Sequence, residues 1–117
     1  MVNEPEAEQG PVLVTVEYRI DPQRTAEFTV AMQELGRFRR RDGAVEWGLY
    51  EDIAEQGRYL ETFVVESWGE YRRQRARATV ADRQIWERAN SFHLPAGFPP
   101  VSRLLYAYHQ ETKPLTT

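Results

Sequence analysis

Residues 60–68 read Leu-Glu-Thr-Phe-Val-Val-Glu-Ser-Trp, a β-branched and aromatic run that ends in a serine and leads into an arginine-rich helical pattern. Such a run predicts a β-strand followed directly by a helix, with Ser67 as the helix N-cap. Glu66 and Trp68 lie two residues apart, so in an extended chain they project from one face of the sheet. We therefore expect a carboxylate and an indole to share this strand-to-helix corner.

Three further elements precede this corner. Alternation of apolar and polar residues over Val12–Ile20 predicts the first strand. Asp21-Pro22 supplies an N-cap and an N1 proline for an amphipathic helix of about 20 residues, which Asp42-Gly43 ends. The second strand is predicted over Ala44–Asp52, and a polar turn predicts that it forms a hairpin with the strand beginning at Arg58.

The chain after Trp68 carries the apolar spacing of a second helical region. Thr79-Val80-Ala81-Asp82 interrupts this spacing and resembles a capping box, so the region is either two helices that meet at Thr79 or one bent helix. The proline-rich stretch 94–100 cannot continue a helix and ends it. A fourth strand is predicted over Val101–His109.

The order strand, helix, strand, strand, helix, strand is that of the ferredoxin-like βαββαβ arrangement. In this α+β fold, one antiparallel four-stranded sheet carries helices on a single face. Several strands have apolar residues on both sides, for example Leu13 beside Val14 and Leu104 beside Leu105, so the helix-free face also needs a partner. A two-fold homodimer that closes two such sheets against each other supplies that cover. We therefore predict a dimeric α+β barrel.

Length and composition limit the other possibilities. A chain of 117 residues with formal net charge −3 has the size of one domain, which we place at 11–109. An acidic linker or disordered tail (1–10) precedes it and a C-terminal tail (110–117) follows. The absence of cysteine excludes disulfides and fits a cytoplasmic setting. The arginines of 72–88 are interleaved with acidic residues, which favours an ion-paired surface over a nucleic-acid interface.

Four short segments resemble a known family: Val-Glu-Tyr at 16–18, Trp-Gly-Leu-Tyr at 47–50, Glu-Thr-Phe-Val-Val-Glu-Ser-Trp at 61–68 and Thr-Val-Ala-Asp-Arg at 79–83. With the order of elements, they resemble the soluble C-terminal domain of the transmembrane secretion effectors, a family of bacterial major-facilitator exporters. That domain is in turn similar to the antibiotic biosynthesis monooxygenase superfamily of dimeric α+β barrels. The resemblance covers about residues 11–109, and the preceding acidic segment looks like a tether to a membrane transporter domain.

The resemblance implies two candidate functions. The first is a cytoplasmic small-molecule-binding or dimerisation domain, tethered to or derived from an efflux transporter. The alternative is a cofactor-independent monooxygenase of the antibiotic biosynthesis type, which would act on aromatic phenols or quinols in an apolar pocket between sheet and helices. We favour the first, because the sequence offers no general base with a recognisable activating partner.

The superfamily pattern places Trp68, the tryptophan after the strand glutamate, in that pocket. Further side chains that could line the same space are Trp47, Tyr50, Tyr71, Arg75 and Trp86. Arg75 is the candidate cation for an anionic ligand, while core packing is the alternative interpretation of the aromatic residues. An arginine on an apolar stripe needs a partner, and Glu66 is the candidate for a structural salt bridge with Arg75.

No cofactor is expected. The sequence has no glycine-rich phosphate loop, so nothing indicates a nucleotide. The related exporter domains typically carry histidines where this chain has Tyr71 and Arg75, so we do not expect metal or haem ligation by a histidine pair. The two histidines present, His93 and His109, have no spacing that links them as metal ligands.

Overall fold

The computed structural model describes residues 4–107. Within this range, four strands form one antiparallel sheet in the order β2-β3-β1-β4: β1 (Val12–Arg19), β2 (Glu46–Glu51), β3 (Arg58–Val65) and β4 (Val101–Leu105). Three helices connect them: α1 (Thr25–Arg41), α2 (Trp68–Ala76) and α3 (Val80–Asn90). The predicted ferredoxin-like α+β fold is confirmed.

The helices cover the face of the sheet on which the apolar rows of β1 and β3 lie. Alternate residues of β1 and β3 are buried there, and the register joins the two rows by pairing Val14 with Phe63 and Val16 with Glu61. On the inward side of α1, Phe28 and Met32 have no exposed surface and belong to the main core cluster. A second apolar cluster lies under α2, where Tyr71 packs over the inward row. Burial of these rows is the main force that holds the helices on the sheet.

The second helical region is two helices, as one of the two sequence alternatives stated. The Thr79 hydroxyl accepts from the Asp82 N–H over 3.1 Å, and the Asp82 carboxylate accepts from the Thr79 N–H over 2.9 Å. This capping box starts α3. At the first helix, a single 3₁₀ turn over Pro22–Arg24 precedes α1, so the α-helix proper begins three residues later than the Asp21-Pro22 signal suggested.

The chain ends are only partly described. β4 ends at Leu105, whereas we predicted a strand to His109, which lies outside the described residues, as does the predicted tail 110–117. At the other end, residues 4–10 lie along the start of α2, where the Gln9 carbonyl accepts from the Trp68 N–H over 2.8 Å. The boundaries of the linker, domain and tail remain predictions.

The other face of the sheet carries no helix within residues 4–107, and we call it the open face. Cross-strand pairing places Leu13, Val64 and Leu104 in one row of this face, with Thr15 and Thr62 in the next. Tyr50 and Leu60 pair in a third row. Leu104 is 52% exposed, and Leu13 and Val64 are partly exposed, so this first row forms an apolar band on the open face. Tyr50, in the third row, is 63% exposed. No described helix combines the length and apolar character that crossing a membrane requires.

Candidate functional site

A buried carboxylate lies at the centre of the helix-covered face. Glu61 has no exposed surface, because strand alternation places it on the inward row of β3 between Tyr59 and Phe63. Its oxygens accept from the Arg39 guanidinium of α1 (Nε 2.9 Å, Nη2 3.3 Å). They also accept from the Trp47 indole of β2 at 2.9 Å and the Tyr18 hydroxyl of β1 at 3.3 Å. The charge and the lone pairs of this carboxylate are thereby satisfied inside the protein.

The same cluster fixes Arg39 and Tyr18. The Arg39 guanidinium carbon lies 4.3 Å from the centroid of the Phe63 ring, and the side chain is 16% exposed. Burial raises the pKa of Tyr18 above its ordinary range, and the Glu61 charge raises it further. Tyr18 therefore stays a neutral hydroxyl that donates to Glu61. Its phenolate does not form near neutral pH, so Tyr18 is not available as a general base.

Beside this cluster, a cleft runs between the sheet and helices α2 and α3. It consists of two cavities of about 70 Å³ and about 290 Å³. Five residues line both of them, so the cavities adjoin: Val16, Arg39, Arg75, Trp86 and Val101. Tyr71 and Gln74 add to the wall of the smaller cavity, and Phe98 and Asn90 to that of the larger one. The walls are mainly apolar and aromatic, with a few polar groups, as in small-molecule sites.

Arg75 is the cation of this cleft that has no counter-charge among residues 4–107. Within residues 4–107 it forms no ion pair, and its guanidinium carbon lies 6.0 Å from the centroid of the Tyr71 ring. Its neighbours on the helical stretch are engaged, because Arg73 and Arg77 each pair with Glu70 over 3.0 Å. An exposed, unpaired guanidinium at the edge of an apolar cleft is suited to bind an anion.

The structure brings three of the predicted pocket residues together in the cleft: Tyr71, Arg75 and Trp86. Trp86 packs edge-on against Phe38 at 5.8 Å, so it belongs to both the core and the cleft wall. Its indole N–H is buried and has no hydrogen-bond partner among the described residues.

The other predicted residues lie elsewhere. Trp47 contributes to the core beside Glu61, and a Cβ at Gly36 of α1 would lie only 2.8 Å from its ring. Tyr50 lies on the open face, on the opposite side of the sheet from the cleft. Trp68 is the first residue of α2, and its ring stacks on Tyr71 at 5.3 Å without lining either cavity of the cleft.

The predicted ion pair of Glu66 with Arg75 is not formed. β3 ends at Val65, whose side chain faces the helices, so alternation turns Glu66 to the other side, where it is exposed. The carboxylate that does meet the Trp68 indole is Glu4, at 2.7 Å from Nε1.

Sequence reasoning missed Glu61 and Arg39. A signal was present, because the period of β3 puts Glu61 in the same row as Tyr59 and Phe63, and a charged residue in an inward row requires partners. Arg39 likewise follows Leu35 by four residues and so lies near the buried stripe of α1. Which donors meet the carboxylate depends on packing between α1, β1 and β2, which local spacing does not reveal.

No group of three or more histidine, cysteine, aspartate or glutamate residues in the described part of the chain is placed to hold a metal ion. The carboxylates nearest the cleft are engaged. Glu61 is enclosed by its three donors, and Asp42 pairs with Arg77 over 3.0 Å.

Comparison with known proteins bears on these observations. The sequence model of the transmembrane secretion effector family matches residues 2–111, which is nearly the whole chain. The chain belongs to the transmembrane secretion effector family. The resemblance of the four sequence segments is thereby confirmed, and the matched range includes the segment before β1 as well as the sheet and helices. Among curated proteins, no significant match was found.

Solved structures with the same fold carry related descriptions. A candidate antibiotic biosynthesis monooxygenase from Caulobacter crescentus CB15 superposes with a TM-score of 0.71 at 18% identity, over 87% of this chain and 94% of the other. One from Bordetella bronchiseptica gives 0.69 at 17% identity, over 86% and 100%. A variant of SnoaB, a cofactor-independent oxygenase from Streptomyces nogalater, gives 0.63 at 16%, over 86% and 94%. At these identities the likeness establishes that this transmembrane secretion effector chain shares their fold.

Proposed function

We propose that this chain is the ligand-binding domain of a transmembrane secretion effector, and that it takes a small aromatic anion in the cleft between the sheet and helices α2 and α3. The observation that carries this proposal is Arg75, a guanidinium with no ion-pair partner among the described residues, which lines both cavities of the cleft. The tyrosine and tryptophan in the walls, Tyr71 and Trp86, provide flat apolar surface for an aromatic ring.

The electrostatics of the cleft favour an anion. The charge of Arg39 is balanced by Glu61, and that of Asp42 by Arg77. Arg75 is then the charge left without an opposite neighbour among the described residues that line the cleft. A carboxylate or phenolate would supply that neighbour through charge-assisted hydrogen bonds.

We further propose that the domain pairs through its open face as a homodimer. The apolar band of Leu13, Val64 and Leu104 needs cover, and a two-fold axis brings the same band from a second copy against it. The family also supports a location at the cytoplasmic face of a membrane, where residues 1–10 would lead from a transporter domain into β1.

The alternative function is cofactor-independent monooxygenation of a phenol or quinol. The shared fold with SnoaB favours it, since that protein is described as a cofactor-independent oxygenase. Against it, the cleft has no free base among the described residues. Glu61 is enclosed, and Tyr18 is held neutral by its raised pKa. Binding without chemistry is therefore the function that the geometry supports better.

Titration calorimetry with 1-naphthoate and the neutral isostere 1-naphthamide tests the proposal. We expect the anion to bind more tightly than the amide, and Arg75→Gln to weaken binding of the anion about tenfold, the size typical of one charge-assisted interaction. Arg83→Gln is the matched control, because Arg83 is an exposed arginine of α3 that forms no ion pair within residues 4–107. Equal binding of the two compounds, or no effect of Arg75→Gln, would exclude an anion site. Protein-dependent oxygen uptake with a naphthohydroquinone would instead support the monooxygenase.

A further inference from the structure

The segment Glu4–Gln9, which we call the N-terminal strap, completes the hydrogen bonding at the start of α2. The first N–H groups of a helix have no acceptor within the helix. In α2, the Gln9 carbonyl accepts from the Trp68 N–H and the Ala7 carbonyl from the Gly69 N–H, both over 2.8 Å. The third such group, the N–H of Glu70, donates to the Ser67 hydroxyl over 3.1 Å. The strap thus supplies two of the first three acceptors of this helix.

Side chains add to this attachment. The Glu4 carboxylate accepts from the Trp68 indole over 2.7 Å and pairs with Arg72 over 3.3 Å. The backbones approach so closely that a Cβ at Gly69 would lie 3.0 Å from the Ala7 carbonyl oxygen, and one at Gly10 would lie 2.1 Å from the Glu66 carbonyl oxygen. A side chain at Gly10 would require the backbone to move, and one at Gly69 would be tightly packed against Ala7, so the strap and the helix lie in close contact.

A chain of contacts leads from the strap to the cleft. The Trp68 ring stacks on Tyr71 with centroids 5.3 Å apart and planes at 22°. Tyr71 lines the cleft, and the Arg75 guanidinium lies over its ring. α2 has only nine residues, and helices this short are marginal in water without tertiary contacts. The order of the helix that carries Arg75 therefore depends on anchors such as the strap.

We propose that docking of the N-terminal strap and occupation of the cleft are coupled. The docked strap holds α2 in the position that presents Arg75 to the ligand, and a bound ligand in turn holds the strap on α2. By the reciprocity of linked equilibria, a force or partner that lifts the strap lowers ligand affinity by the same factor by which the ligand resists the lifting. The ligand half of this inference rests on the proposed function. In a protein tethered through its N-terminus, this coupling would link occupation of the cleft by ligand to the chain that precedes Glu4.

Amide hydrogen exchange without any ligand tests the first half of this inference, that the docked strap holds α2 in place. Glu4→Ala removes the indole and arginine contacts. Glu8→Ala removes the same charge from an exposed strap residue whose side chain has no partner among the described residues. We expect Glu4→Ala to speed exchange in α2 roughly fivefold, as the loss of one hydrogen bond does, and to leave α3 unchanged. Gly10→Ala, which forces the strap away from Glu66, should give a larger effect of the same pattern. Unchanged exchange in α2, or equal effects of Glu4→Ala and Glu8→Ala, would overturn the inference.

Calorimetry with 1-naphthoate then separates the two proposals. We expect Glu4→Ala to weaken binding severalfold and Glu8→Ala to leave it unchanged. If the wild-type chain binds 1-naphthoate and Glu4→Ala binds it equally well, the coupling is overturned while the proposed function stands. If the wild-type chain does not bind it although Glu4→Ala loosens α2, the proposed function and the ligand half of the coupling fail together, and the strap's control of the helix stands alone.

Discussion

Arg39 donates to Glu61 over 2.9 Å at a position where Glu61 has no contact with solvent. The same carboxylate receives the Trp47 indole and the Tyr18 hydroxyl. One side chain of β3 thereby links α1 with both neighbouring strands. A buried carboxylate is tolerated because opposite charge and hydrogen-bond donors surround it. Removing either member of the ion pair leaves the other as an uncompensated charge inside the protein.

Glu61→Gln should lower the free energy of unfolding by about 3 kcal/mol, because Arg39 keeps its charge and loses its counter-ion. Urea unfolding followed by tryptophan fluorescence measures the change. Glu66→Gln is the matched control, since Glu66 is an exposed glutamate directly after the same strand, and it should change stability by less than about 0.5 kcal/mol. Equal stability of the two variants would contradict the role of Glu61 described here.

His93 should make stability depend on pH. Its Nδ1 accepts from the Arg19 N–H over 3.1 Å, and burial lowers the pKa of His93 from its ordinary value of 6.5. The unfolded chain then binds a proton at higher pH than the folded chain does. The stabilising contribution is therefore complete above about pH 6.5 and is lost as the pH falls below it.

Unfolding measured from pH 7.5 to 5.5 checks this sign. His93→Asn retains an acceptor for the Arg19 N–H and cannot titrate, so the loss of stability over this range should shrink in the variant. The carboxylates with lowered pKa values, such as Glu17 beside Arg58 and Glu70 beside Arg77, titrate below this range. An unchanged pH profile in His93→Asn would assign the effect to another group.

Thr79→Ala should cost about 1 kcal/mol, because it removes the side chain that caps α3. Thermal unfolding measures the effect. Thr29→Ala is the control at a mid-helix threonine, whose hydroxyl donates back to the Thr25 carbonyl within α1, and there alanine is the better helix former. The prediction is wrong if both substitutions shift the melting temperature in the same direction and by the same amount.

Leu104→Lys should convert the proposed homodimer to a monomer, because it places a charge in the apolar band of the open face. Analytical ultracentrifugation at micromolar concentration measures the assembly state. Val30→Lys on α1 is matched in exposure, at 55% against 52% for Leu104, and should leave the dimer intact. If the wild-type chain is monomeric, or if both variants remain dimeric, the open face is excluded as the dimer interface.

Much of the fold could be predicted because its signals are local. The alternation of β1, the Asp42-Gly43 end of α1 and the Thr79 capping box each lie within a few residues of what they specify. Helix starts were less certain, since a proline after an N-cap suits a 3₁₀ turn as well as an α-helix.

The candidate site was predicted only in part. Tyr71, Arg75 and Trp86 were identified because helical spacing aligns them. Trp68 was placed in the pocket through the superfamily resemblance, whereas its ring stacks on Tyr71 at the start of α2 and lines neither cavity of the cleft. Its true partner, Glu4, lies 64 residues away, and no spacing rule connects two such positions. The same applies to Glu61, whose donors come from three different elements.

The open face and the cleft lie on opposite sides of one sheet. Two copies joined through their open faces would therefore place their two sheets face to face, about 10 Å apart. Both clefts would then lie on the outer sides of the dimer, with the two sheets between them. A ligand in one cleft would not touch the other subunit. The assembly would then carry two separate ligand chambers that open on opposite outer surfaces.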